Sequence, residues 1–176
     1  MNMAVAQDHS IADMAAAADL AGAVQFLTFR VDDAEYGVDI MSVREIKGWT
    51  AETRLPNTPD YMRGVINLRG SIIPIFDLRC RFDHGLTQAH AKNVVVILAV
   101  GHRNIGILVD AVSDIVTVES GAIKHTPQEA SHGIKERFVD GLISFEERMI
   151  ILLNIVQLFT ADAEALSQHI APETQQ

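Results

Sequence analysis

What most constrains this chain is a succession of short apolar segments, each closed by a turn signal. Leu27, Phe29 and Val31 alternate with Thr28 and Arg30, the period of a half-buried strand, so ordered structure is expected from Gln25 onward. After the turn Asp32-Asp33-Ala34-Glu35, the residues Tyr36, Val38 and Ile40 resume the alternation, which predicts a hairpin. Val65–Asp77 forms two apolar arms about Asn67-Leu68-Arg69-Gly70, where Gly70 supplies the backbone freedom of a tight turn. Pro74, which has no N–H to donate, marks an edge or a bulge in the second arm. Val94–Val100 and Ile105–Val109, turning at Gly101-His102-Arg103-Asn104, are nearly continuously apolar and are expected to be buried on both faces. Ile115–Val118 reads as another strand, and Val139–Phe145 with Met149–Leu153 as a last hairpin about Glu146-Glu147-Arg148.

Helical signals are fewer. Val43 and Ile46, three apart, predict one helical turn over Met41–Ile46. Thr58 before Pro59 is a cap and first-position pair, and with Gly64 as a stop it predicts a short helix over Pro59–Arg63. Asn154 can cap a C-terminal helix whose apolar face is Ile155, Phe159, Ala163, Leu166 and Ile170. Leu86–Lys92 and Thr126–Glu136 read as polar connections. The Ala-rich residues 1–23 offer few apolar anchors and are expected to form a mobile tail, with a domain over 24–160 and the helix end and tail over 161–176. Many short strands and one substantial helix indicate a mainly β fold of small barrels or sandwiches; without strand–helix–strand alternation, a doubly wound sheet is not expected.

Length and charge narrow the function. The 176 residues suit one domain or two fused subdomains. A net charge of −9 opposes binding to nucleic acid, which draws on a basic field, and to an anionic membrane surface. The single cysteine, Cys80, excludes an intramolecular disulfide and a Cys-pair zinc site, and suits a reducing compartment. The longest apolar run, Val94–Val100, is far short of the roughly 20 residues of a membrane helix. Met1–Gly22 lacks the basic start of a signal peptide, so the expected location is the cytoplasm.

Catalytic patterns are missing. The histidines His9, His84, His90, His102, His125, His132 and His169 form no His-x-His or His-x-x-x-His pair. Ser71 stands in no nucleophile elbow, and Gly101–Gly106 is followed by Ile107 rather than the Lys-Ser/Thr of a phosphate loop. Arg79 and Arg81 flank Cys80 and would favour its thiolate, although a lone cysteine reads first as a small packing residue. The expectation is no enzyme, no cofactor and no metal. Charge is unevenly spread: Arg44–Arg81 holds seven basic and four acidic residues, +3 locally against −12 elsewhere. That distribution fits either a solvated strand face or a patch that steers an acidic partner.

Three stretches carry a resemblance. They are Val43-Arg44-Glu45-Ile46, then Pro59-Asp60-Tyr61-Met62-Arg63-Gly64-Val65-Ile66-Asn67-Leu68-Arg69-Gly70, and Ile72-Ile73-Pro74-Ile75-Phe76-Asp77-Leu78-Arg79. Together with Gly106–Val112 and Gly141-Leu142-Ile143, they make the chain similar to the CheW family of chemotaxis coupling proteins over roughly Gln25 to Leu158.

The resemblance implies two intertwined five-stranded, SH3-like β-barrels with a hydrophobic seam and a C-terminal helix. It implies a non-enzymatic scaffold that couples the cytoplasmic tips of chemoreceptors to the regulatory domain of the chemotaxis histidine kinase. Such a protein is cytoplasmic and is recruited to membrane-associated receptor arrays. Receptor and array contacts map to Val43, Glu45, Gly64 and Arg69, with Glu45 and Arg69 as a paired acid and arginine and with Asn67, Gly70 and Pro74 as supporting turn and strand. Two other functions fit the same fold. One is a coupler in a non-flagellar receptor–kinase pathway; the other is a small β-barrel ligand-binding module, which the acidic charge and the single Trp and two Tyr disfavour.

Overall fold

A computed structural model of the chain describes residues 22–125 and 138–160. The tail expected over 1–23 falls almost wholly outside these residues, as do the Thr126–Glu136 connection and the later helix-face residues Ala163, Leu166 and Ile170. Among these residues ten strands and two helical segments follow in order: β1 Ala23–Val31, β2 Ala34–Asp39, β3 Val43–Gly48, β4 Met62–Leu68, β5 Ser71–Asp77, α1 Leu78–Arg81, β6 Val94–Val100, β7 Arg103–Val109, β8 Ala111–Glu119, β9 Val139–Phe145, β10 Arg148–Leu153, and α2, described over 155–160.

They form two five-stranded sheets, in the orders β8-β1-β2-β10-β9 and β3-β6-β7-β5-β4. The second sheet uses consecutive chain, 43–109, and is inserted into the first, which is split between the two ends of the domain. Both follow one plan. A hairpin (β1–β2, β6–β7) pairs in parallel through its second strand with the second strand of another hairpin (β9–β10, β4–β5). The fifth strand (β8, β3) lies antiparallel on the outside of the first hairpin. The expected pair of intertwined five-stranded units is thus present, and in each the segment that follows the fifth strand makes a single bridge to the opposite edge strand, Thr53–Val65 in the inserted sheet and Lys124–Leu142 in the split one.

The period-two alternation sorts side chains into three cores. In β6, Val96, Leu98 and Val100 face the seam between the sheets, whereas Val95 and Ile97 face a small core inside the inserted sheet with Ile66, Ile73, Ile75 and Leu108. In β1, Leu27, Phe29 and Val31 face the seam, and Phe26 joins Val116, Ile143, Ile150 and Leu152 inside the split sheet. That is why Val94–Val100 is apolar on both faces. The seam is closed by Phe159 of α2 against Phe76, ring centroids 5.0 Å apart, and by Tyr36 stacked on Phe82 at 5.2 Å. Asn154 caps α2 as expected, its Oδ1 accepting from the Gln157 N–H at 3.0 Å.

Several expectations fail locally. Met41–Ile46 is not a helical turn: a 3-10 turn spans Ile40–Ser42, capped by Asp39, and Val43–Gly48 is a strand. Pro59–Arg63 is not a helix either. Thr58 donates its hydroxyl proton to Leu55 O, Met62 N–H closes a turn on Pro59 O, and β4 begins at once, so Gly64 lies within a strand. The strand expected at Ile115–Val118 extends over nine residues. Pro74 lies in β5, an interior strand, one residue before parallel pairing with β7 starts at Ile75, so its missing donor costs nothing on that side.

Candidate functional site

In β3, Val43 pairs with Leu98 and Glu45 with Ile97, so Arg44 is an extra, bulged residue. A bulge reverses the face of every residue after it in the strand. Val43 therefore stays buried in the seam while Glu45, two positions on, points the other way. The β4–β5 hairpin turns on Arg69 and Gly70, with φ of +50° and +87°, the doubly positive pattern whose twist suits a two-residue hairpin. The side-chain Oδ1 of Asn67 steadies it by accepting from the Gly70 N–H at 2.9 Å. From this tip the Arg69 guanidinium donates to the Glu45 carboxylate, joining the two outermost strands of the inserted sheet. The side chains are 69% and 30% exposed, so the pair adds only about 0–1 kcal/mol to stability. Sequence similarity placed these two together, and the geometry does so as well. Val43 and Gly64, by contrast, are buried.

Gly64 sits where another backbone crosses. The segment after β3 returns as a strap along β4, held by Thr53 N–H to Val65 O at 2.9 Å and Val65 N–H to Thr53 O at 2.8 Å. A Cβ on Gly64 would lie 2.3 Å from Thr53 O, and the φ of +149° also disfavours a side chain. Between strap and hairpin lies an open groove of about 420 Å³ lined by Thr53, Val65, Asn67 and Ile72, the last 47% exposed.

Beside Gly64, Arg63 is the bulged residue of β4 and turns into a buried polar network that sequence reasoning missed. Its Nη1 donates to Asp77 Oδ2 at 3.1 Å and Thr87 O at 2.8 Å, and its Nε donates to Glu52. Asp77, 0% exposed, also accepts from Thr87 N–H at 2.7 Å, from the Thr87 hydroxyl at 2.8 Å and from Cys80 N–H, which caps α1. The other oxygen of Glu52 accepts from the indole of Trp49 at 2.7 Å. A charge is kept in such a place only when its partners are close and its lone pairs filled, and here both conditions hold. The one legible signal was Asp77 itself, a carboxylate ending an apolar strand.

The basic stretch Arg44–Arg81 does not form one outward patch. Arg63 faces the network. Arg81 lies over the rings of Tyr61 and Phe138, 4.6 and 4.9 Å from their centroids. Arg79 pairs with Asp32 of the split sheet at 3.3 Å. Nor is the Cys80 thiol activated: burial pushes its pKa up, Asp77, Asp60 and Asp83 add to that, and Arg63 opposes it only in part. Among the described residues no group of three or more His, Cys, Asp and Glu is arranged to hold a metal ion, and no helix is long and apolar enough to cross a membrane.

The chain matches the family model described as a CheW-like domain over residues 25–163. It is 43% identical to a probable chemotaxis protein CheW of Rhizobium etli over 136 residues, 77% of this chain and 87% of that protein. It is 38% identical to the chemotaxis protein CheW of Klebsiella aerogenes over 164 residues, 92% of this chain and 98% of the other. The crystal structure of a CheW scaffolding protein from Thermoanaerobacter tengcongensis superposes with a TM-score of 0.71 at 31% identity, covering 77% of this chain and 87% of that one. With a similar fold and similarity across nearly all of its described length, this chain belongs to the CheW-like domain family of chemotaxis scaffold proteins.

Proposed function

We propose that this protein is a non-enzymatic coupler that binds the cytoplasmic tip of a chemoreceptor and the regulatory domain of the chemotaxis histidine kinase, and so sets kinase activity within a receptor array. Family membership supports the class of function. The observation that carries the docking surface is the exposed Glu45–Arg69 pair, which joins the outer strands of the inserted sheet while adding little to its stability. A bidentate-capable guanidinium that fixes a loop without strengthening the core is suited to shaping a surface. Val43 and Gly64 act from beneath: Val43 seats the start of β3 in the seam, and Gly64 admits the strap beside the groove. Asn67, Gly70 and Pro74 shape the hairpin that presents Arg69. Under this proposal the protein works in the cytoplasm and reaches the membrane through its receptor.

A pull-down tests this directly. Purified protein is expected to retain both a receptor cytoplasmic fragment and the isolated kinase regulatory domain. Retention of neither, with the protein folded, would overturn the proposal.

A further inference from the structure

The strap's apolar anchors, Trp49 and Leu55, pack against the cores at its two ends, but between them a single bridge of two backbone hydrogen bonds is a weak fastening on an open strand edge. The strap over 49–55 nevertheless crosses Gly64 so closely that a Cβ there would lie 2.3 Å from Thr53 O. What fastens it is next to the bridge. Glu52, immediately before Thr53, reaches inward to Arg63, immediately before Gly64. Arg63 cannot yield, because Asp77 and Thr87 hold its other end. Trp49, at the strap's start, is tied to the same Glu52, and its own N–H donates to Asn93 O at 3.0 Å.

The split sheet supplies a control within the molecule. There the equivalent bridge, Lys124–Leu142, flanks Gly141, and the bulged residue beside that glycine is Asp140. Asp140 is held by the Asn154 side chain at the end of its own hairpin, 2.9 Å away, rather than reaching across to the strap. Both sheets therefore share the bridge and the glycine, and among the described residues the ionic fastening is found in the sheet that carries Arg69.

We infer that Glu52 and Arg63 are positioning residues for receptor docking: they latch the 49–55 strap onto β4 and so hold the groove beside the Arg69 hairpin in its docking shape. This rests on the docking surface proposed above. Gly64 then matters to the partner through the strap it admits, not as a contact.

Glu52→Ala is the cleaner variant, because Arg63 stays in place and Asp77 keeps its partner. Three readouts apply to the full chain. Hydrogen exchange at the Thr53 and Val65 amides is expected to quicken tenfold or more, while Ile97 and Ile105 in β6 and β7 keep parental rates. Emission from Trp49, the only tryptophan, is expected to move to longer wavelength as its indole loses Glu52. Binding to a receptor cytoplasmic fragment is expected to weaken at least tenfold, with Glu52→Gln, which keeps an acceptor, recovering part of each effect. Parental exchange at Thr53 and Val65 would remove the latch. A loosened strap with receptor binding within twofold of the parent would leave the latch but refute its role in docking. Should the parent itself bind no receptor fragment, the docking surface and this role fall together, and the exchange rates still decide whether the latch exists.

Discussion

The inserted and split sheets solve the same closure problem with different chemistry. In each, the residue at the junction between the last strand of a hairpin and the following helix caps that helix and bonds the bulged residue of the neighbouring strand: Asp77 with Arg63 in one, Asn154 with Asp140 in the other. The backbone plan is common, down to the glycine under the strap. The inserted sheet fills the position with buried charges and six hydrogen bonds on one carboxylate and one guanidinium, whereas the split sheet uses a solvent-exposed amide–carboxylate bond. Topology therefore requires a polar link at this point and leaves its strength free. The strong version lies in the sheet that also carries the candidate docking pair.

The largest expected contrast comes from the two capping residues. Asp77→Ala strands Arg63 and empties several hydrogen bonds, and is expected to cost about 3–5 kcal/mol, as for breaking a buried ion pair. Asn154→Ala removes a cap and an exposed bond, for about 1 kcal/mol. Denaturant unfolding at neutral pH compares them, and equal losses would dissolve the distinction between the sheets.

The glycines sharpen it further. Gly64→Ala meets backbone at 2.3 Å with φ at +149° and is expected to cost about 2–4 kcal/mol. At Gly141 the nearest approaches are 2.8 Å and no positive φ is involved, so Gly141→Ala is expected to cost about 1–2 kcal/mol. Thermal midpoints of the two variants measure the order, and a larger fall at Gly141 would reverse it.

The seam belongs to neither sheet alone, and Tyr36 reports on it. Burial, then the Asp32 carboxylate, pushes its phenol from an ordinary 10.0 up to about 12. The folded state thus favours the neutral form, and that contribution is complete below pH 10 and lost as pH rises through the folded value. Stability of the parent is expected to fall on the order of 2 kcal/mol between pH 10 and 12 beyond any fall in Tyr36→Phe. Parallel pH profiles for the two proteins would show no core role for the phenol.

How much of this the sequence discloses depends on whether the cause is local. The β4–β5, β6–β7 and β9–β10 hairpins were legible because alternation and turn residues lie side by side. Val43 and Ile46 misled because the bulge at Arg44 shifts the phase of β3, turning a strand's pattern into a helix's spacing. Thr58-Pro59 misled because good cap chemistry was overridden by a strand that must start at Met62 to pair with Phe76. Glu52 and Asp77 stand 11 and 14 positions from Arg63, and nothing in periodicity links them. The parallel pairing of β2 with β10 joins chain ends that no spacing could relate. Glu45 and Arg69, 24 residues apart, were paired by resemblance alone.

The smallest change in stability should carry the largest change in function, and that is the direct test of the proposed role. Receptor-dependent activation of the histidine kinase is measured with the parent, Arg69→Ala, Glu45→Ala and the double variant, each with a denaturation curve. Arg69→Ala is expected to lose about 1 kcal/mol of stability or less. Coupling should nevertheless fall tenfold or more, about 1.4 kcal/mol, with Glu45→Ala alike and the double variant less impaired than the two losses added. Normal activation by Arg69→Ala, or a loss explained wholly by unfolding, would contradict the docking role of this pair.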